Sequence, residues 1–235
     1  MNRALLVLMV APMMALTTAH AQTGGIQVAP VMVVLRGDDN IASLRIRNGR
    51  ARPIAFEVDV YSWSQRNGED VLTPTEDVLV APGVFEVAAE SEQVIRLGVV
   101  APHTDVERSY RLILRELPSR PESGSVLGFT LEMSLPVFVA PEGARADVQS
   151  RVAMSDEGRV LLLSNAGSAH VQLSSVEDMD GGALDAPRYL LPGASAEIML
   201  PRTARTIRVR AADSNGSQTE RLVHVDASDN RASLR

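Results

Sequence analysis

Ala42-Ser43-Leu44-Arg45-Ile46-Arg47-Asn48 decides how this chain folds. Leu44 and Ile46 alternate with Arg45 and Arg47, and a side-chain period of two marks a strand with one face in a core and the other in water. The same period recurs outward in both directions. Residues 27–35 form a Val-rich run, residues 54–63 alternate again, and further β-type runs occupy 78–81, 85–87, 93–100 and 110–117. Asn67-Gly68, Ala81-Pro82-Gly83 and Ala101-Pro102-His103 supply turn or breaker chemistry between them. No long stretch carries the i, i+3, i+4 apolar spacing of an amphipathic helix, so the chain reads as all-β.

Beyond residue 140 the style repeats with shorter runs at 147–155, 159–164, 169–177, 196–200, 206–212 and 220–225. Asn165-Ala166-Gly167, Asp180-Gly181-Gly182, Leu191-Pro192-Gly193 and Ser214-Asn215-Gly216 punctuate them. Each half has roughly the 100 residues that an immunoglobulin-like sandwich needs. Ala140-Pro141-Glu142-Gly143 reads as the hinge. The expected division is a signal peptide at 1–21, an N-terminal immunoglobulin-like domain at 22–140 and a smaller C-terminal β-sandwich at 141–235. The signal peptide is read from Arg3, the apolar run from Ala4 to Leu16 and the small-x-small site Ala19-His20-Ala21, which predicts secretion through a cleaved signal.

Aromatic residues make up only 3% of the chain against 45% hydrophobic residues, so the cores must be built from Val, Leu, Ile and Ala, which suits strands. An exported chain without cysteine has neither disulfides nor thiolate metal sites. The formal charge of −6, or −7 once Arg3 leaves, argues against nucleic acid as a partner. His103, His170 and His224 are isolated and lack ligand spacing, Asp178 and Asp180 lack the order of a calcium loop, and no phosphate loop or nucleophile elbow is present. The sequence therefore predicts a protein that is not an enzyme and needs no metal or cofactor.

Residues 125–139 read as an unusually long strand in which Leu127, Phe129, Leu131 and Met133 share one face and Gly128, Thr130, Glu132 and Ser134 the other. Two readings fit this row. It faces the domain's own core, or it fills the core of a partner by β-strand addition, with main-chain hydrogen bonds giving affinity and alternate side chains giving specificity.

Several segments together resemble the periplasmic chaperones of the chaperone-usher pilus assembly pathway. They are Ile26-Gln27-Val28-Ala29-Pro30, Leu44-Arg45-Ile46-Arg47-Asn48, Glu92-Gln93-Val94-Ile95-Arg96-Leu97, Tyr110-Arg111-Leu112-Ile113-Leu114-Arg115-Glu116-Leu117-Pro118 and Leu135-Pro136-Val137-Phe138-Val139-Ala140-Pro141. The resemblance implies two immunoglobulin-like β-sandwich domains meeting at an angle. It implies that the chain binds pilin-like subunits, donates a β-strand to them and delivers them to an outer-membrane usher. Leu127, Phe129, Leu131 and Met133 would be the donated row, residues 118–124 a loop that moves until a subunit binds, and self-association a further expectation for the free protein.

Members of that family anchor the subunit's C-terminal carboxylate with an arginine and a lysine, whose positions align here with Met32 and Pro136. This departure points to a divergent branch, such as one making archaic-type or spore-coat-like polymers. A substitute is offered by Arg111 and Arg115, which share the strand face opposite Tyr110, Leu112 and Leu114 and carry forked, permanently charged donors. Arg47 and Arg96 are weaker candidates. The competing reading is a two-domain structural surface subunit or adhesin. Such a subunit would be expected to carry a donor peptide ahead of its first domain, and residues 22–25 are short for one.

Overall fold

A computed structural model describes residues 25–66, 68–102, 104–118 and 130–225. Among these the only regular elements are strands. The first ten are β1 (Ile26–Ala29), β2 (Val33–Arg36), β3 (Ile41–Asn48), β4 (Ile54–Arg66), β5 (Glu69–Pro74), β6 (Val78–Ala81), β7 (Val84–Val87), β8 (Glu92–Val99), β9 (Arg108–Glu116) and β10 (Glu132–Ala140). Eight more follow: β11 (Val148–Ser155), β12 (Gly158–Asn165), β13 (Val171–Asp178), β14 (Gly182–Ala183), β15 (Tyr189–Leu190), β16 (Ser195–Met199), β17 (Thr206–Asp213) and β18 (Gln218–His224).

Two sheets pack face to face in each half. In the first, the order β1-β3-β8-β6 stacks on β2-β10-β9-β4-β5, with β7 also paired to β4. In the second, β11-β12-β16 stacks on β14-β13-β17-β18, with β15 paired to β13. Alternation puts Leu44 and Ile46 into the first core with Ile95, Leu97, Phe56, Leu112 and Leu114, while Arg45 and Arg47 face out. Leu161, Leu163, Ile198, Ile207 and Val209 fill the second. These are two immunoglobulin-like sandwiches, as the periodicity predicts.

The Val-rich run of residues 27–35 is not one strand. β1 pairs antiparallel with β3 in one sheet, whereas β2 pairs parallel with β10 in the other. Pro30 lies between them and has no N–H to continue the ladder, so the chain crosses from one sheet to the other there.

Each domain is tied by a buried asparagine at a strand end. The Asn48 amide donates to the carbonyls of Arg52 (2.8 Å), Val87 (3.1 Å) and Ala88 (3.1 Å), and its Oδ1 accepts from the N–H of Arg50. Asn165 repeats the device, donating to Ala169 and Leu190 while its Oδ1 accepts from Gly167 and Asp147. Both form the local turn in which an Asx oxygen captures an N–H two residues on. Replacing Asn48 by alanine strips the partners from several buried carbonyls, and a loss of about 2–3 kcal/mol is expected in thermal or urea unfolding. An unchanged midpoint would mean that water replaces the amide.

Candidate functional site

β10 is paired unevenly. On one side it follows β9 from Glu132 to Val139, but on the other β2 covers only Val137 to Ala140. Among the described residues, the backbone of residues 132–136 therefore has a free edge, an unsatisfied template for another strand. Along this strand Leu135 and Val137 are buried in the domain's own core, Met133 packs against its margin, and Leu131 is half-buried. The row thus runs out of the core as it approaches the free edge. Leu127, Phe129 and the loop 119–124 lie outside the described residues.

Glu116 holds the start of this edge. Its Oε2 accepts from the N–H of Leu131 at 3.2 Å and its Oε1 from Arg50 at 2.9 Å, while its own N–H donates to the Leu131 carbonyl at 2.7 Å. The carboxylate is buried with a side-chain exposure of 8%, so the paired arginine compensates for its desolvation. Nothing in the pattern analysis singled out Glu116. The signal was available, since it falls on the buried parity of Tyr110, Leu112 and Leu114, where a carboxylate is out of place unless paired.

On the other face of the same sheet the two domains meet. Phe138 is fully buried against Trp63, Tyr189, Leu191 and Ala194, with Met32 and Val34 at the margin. Met32, where the resemblance would place an arginine, receives the Tyr189 hydroxyl on its sulfur, and Pro136, where it would place a lysine, is buried in β10. Neither position presents a charge, and Met32 packs at the margin of the joint.

Arg111 stands directly across from Pro136 in the β9–β10 register, so its guanidinium rises from the same sheet face one strand away. It lies 3.6 Å over the Trp63 ring and 5.7 Å from that of Tyr189, and donates to Asp70 Oδ2 at 3.3 Å. Burial lowers its pKa from the usual arginine range, and the Asp70 charge opposes that shift. Arg115, four residues and about 13 Å further along the strand, is set differently. It bonds Glu132 (3.0 Å), Asp59 (3.3 Å) and Glu57 (3.4 Å), the bond to Glu132 being the main cause of its raised pKa. Its Nε and Nη1 are already engaged by three carboxylates. Arg47 and Arg96 are exposed on the opposite sheet, away from the joint, which corrects their candidacy: β3 and β8 turn these side chains outward.

Polar contacts complete the joint. Gln65 donates from Nε2 to the Tyr189 carbonyl and accepts the Leu191 N–H on Oε1, both at 3.0 Å. Arg36 donates to the Ser214 carbonyl. Glu107 accepts the N–H of His170 at 2.9 Å and lies 2.9 Å from its Nδ1 through each oxygen, while the His170 ring stacks on Phe138 with centroids 3.5 Å apart. His170 is buried, its side chain 2% exposed. His103 lies outside the described residues, and His224 meets only Thr206 at 3.3 Å among them.

The sequence model for pili and flagellar-assembly chaperones, the PapD N-terminal domain, matches residues 25–145. This chain belongs to that chaperone family. A chain of the CsuC–CsuE chaperone–tip adhesion subunit pre-assembly complex, from the archaic chaperone-usher Csu pili of Acinetobacter baumannii, superposes on this family member with a TM-score of 0.68. It is 20% identical, and the match covers 84% of this chain and 97% of that one. The Salmonella enterica complex of the SafA pilin with the SafB chaperone gives a TM-score of 0.69 at 17% identity, covering 86% and 97%. The Pseudomonas aeruginosa CupB2 chaperone gives 0.61 at 19% identity, covering 85% and 100%. The comparison with curated proteins gave no match.

For this chaperone, the two-sandwich architecture agrees with the resemblance seen in the sequence. What holds the joint together had no reading in the sequence. Hydrophobic burial and the Glu107–His170 pair join the domains, and neither was visible as a local pattern.

Proposed function

We propose that this protein is a periplasmic chaperone that holds a pilin-like subunit by lending it the free edge of β10 and delivers it to an outer-membrane usher. The observation that carries this reading is the backbone of residues 132–136, uncovered among the described residues, beside an apolar row that leaves the core at Met133 and Leu131. By the two-residue period of the sequence, Leu127 and Phe129, which lie outside the described residues, join Leu131 and Met133 in the proposed donated set. A subunit strand adding to this edge would gain main-chain hydrogen bonds, and the row would fill the groove left by its missing strand. No chemical step or cofactor is needed, since completing the partner's fold supplies the driving force. In this reading residues 1–21 are removed on export, 22–140 form the subunit-binding domain and 141–235 the second sandwich.

Of the two arginines, Arg111 is the better anchor for the subunit's C-terminal carboxylate. It stands beside the aromatic joint and, among the described residues, commits one donor to a carboxylate, whereas Arg115 already serves three. The complexes with a pilin and with a tip adhesion subunit among the structural relatives support a subunit as partner.

Co-expression in a periplasm with pilin-like subunits tests the proposal. A subunit should co-purify one-to-one with the tagged wild type and be lost from Phe129→Asp plus Leu131→Asp, provided the variant keeps its unfolding midpoint. Equal retention by the folded variant would sink strand donation and leave the surface-subunit reading.

A further inference from the structure

The hairpin of β4 and β5 is longer than its sheet requires. β4 pairs with β9 only from Phe56 to Ser62, and from Trp63 to Arg66 it runs on with β5 alone, carrying the tip to the second domain. Gln65 on the outgoing strand grips the Tyr189–Leu191 backbone. Asp70, directly opposite Gln65 on the return strand, shares its face and reaches Arg111. The arm thus brings a carboxylate of the chain itself to the guanidinium read above as the anchor.

We propose that Asp70 is a built-in stand-in for the subunit's carboxylate: it occupies Arg111 in the free chaperone, is displaced when a subunit docks, and thereby tunes how tightly the subunit is held. The proposal rests on Arg111 being the anchor. Its support is the half-made character of the contact. A guanidinium has five N–H donors in a fork suited to two parallel bonds with one carboxylate. Among the described residues, the one hydrogen bond of Arg111 is the single Nη2 to Oδ2 contact at 3.3 Å, long beside the roughly 2.7–2.9 Å of a good charge-assisted bond.

Asp70 is also held without being committed. Its Oδ1 accepts from Gln65 Nε2 at 3.0 Å, so the carboxylate stays at the site when Oδ2 lets go. Its side chain is 46% exposed, so water can solvate the released oxygen, whereas Arg111 at 15% exposure depends on a partner. A free α-carboxylate engaging the fork with both oxygens outmatches one long bond. The difference between the two contacts, not the full strength of the new one, sets the net gain. A chaperone that must surrender its cargo is served by such a reduced gain.

Trp63 is the single tryptophan of the chain and carries Arg111 on its ring, so intrinsic fluorescence reads the site directly. The full chain is titrated with the strand-forming peptide N-acetyl-(Val-Thr)4, once with a free C-terminal carboxylate and once as the C-terminal amide. Asp70→Asn is expected to bind the free acid about two- to fivefold more tightly than wild type, the span of an exposed ion pair, with no gain for the amide. Glu69→Gln, which removes the same charge from the neighbouring residue, should give less than half that gain, and Arg111→Gln should abolish the preference for the free acid. If Arg111→Gln keeps the preference, or no free-acid binding is seen with wild type and Asp70→Asn alike, Arg111 is not the anchor and the proposal falls with it. If Arg111→Gln loses the preference while Asp70→Asn behaves as wild type or as Glu69→Gln, the anchor stands and the stand-in is overturned.

Discussion

Replacing Glu107 by alanine is expected to lower stability by about 3 kcal/mol and to loosen the two sandwiches from each other. The carboxylate belongs to the approach to β9 and its two partners to the turn before β13, 63 residues away in sequence. The side-chain exposures of His170 and Glu107 are 2% and 0%, so water cannot take over when the acceptor is removed. The N–H of His170 and the ring proton that the geometry places on Nδ1 would both be left buried without a partner. The neighbouring bond from the Glu107 N–H to the Ser168 carbonyl at 2.9 Å would remain, with the Gln65 and Arg36 contacts elsewhere in the joint. Urea unfolding should show a lower midpoint and a broader or split transition, since two domains that lose their coupling no longer unfold as one. Small-angle scattering should show a wider spread of interdomain angles. Glu107→Gln keeps an acceptor for the backbone N–H and should recover part of the loss. A wild-type midpoint for Glu107→Ala would show that the pair contributes nothing net.

Gly167→Ala is expected to be at least as damaging, for a steric reason. A Cβ at this position would lie 2.3 Å from the Arg145 carbonyl oxygen, 2.4 Å from the Asp147 nitrogen and 2.7 Å from the Ala146 carbonyl carbon. All three are backbone atoms, and the segment is laced to its neighbour by Ala166 to Asp147, Ser168 to Arg145 and Ala169 to Arg145 hydrogen bonds, so neither strand of chain can yield cheaply. Overpacking against rigid backbone costs about 3 kcal/mol or more, and the shifted turn would carry Ser168 and His170 away from Glu107. Loss of soluble protein, or a much reduced melting temperature by circular dichroism, is the expected result. Gly68→Ala provides a contrast: its added Cβ meets nothing within 4 Å, and its cost should come only from the left-handed backbone at φ 80°. Equal effects of the two substitutions would rule out the steric account.

Much of the fold was legible because the relevant information is local. Alternation across Ala42 to Asn48 is a statement about neighbouring residues, and β3 follows it with Leu44 and Ile46 buried and Arg45 and Arg47 exposed. Asn67-Gly68 marked the hairpin because such a pair suits the tight connection between paired strands, and Arg66 does pair with Glu69. Six runs in the second half lie within a residue or two of β11, β12, β13, β16, β17 and β18. The run of residues 27–35 left its sheet open, because apolar sequence does not say which sheet a strand joins, and Pro30 divides it between two.

The candidate site was legible only in part. The face shared by Arg111 and Arg115 followed from the two-residue period, but their different surroundings did not, because Trp63, Asp70, Glu57 and Asp59 reach them across the β4–β9 and β4–β5 pairings. Glu116 was visible as an anomaly of parity, yet its partners, Arg50 and the Leu131 backbone, come from distant segments.

By itself the sequence determined what depends on nearest neighbours along the chain: strands, turns, inward and outward faces, and the division into two all-β halves. Tertiary structure alone decided what depends on which strands lie side by side and how the halves meet. Among the described residues, that includes the free edge of β10, the aromatic joint around Phe138, the sealed Glu107–His170 pair and the single carboxylate at Arg111. The physical reason is range. Side-chain alternation is set by backbone geometry within a few residues, whereas hydrogen bonds and ring contacts between segments tens of residues apart exist only after strand order and domain angle have been fixed by burial of the cores.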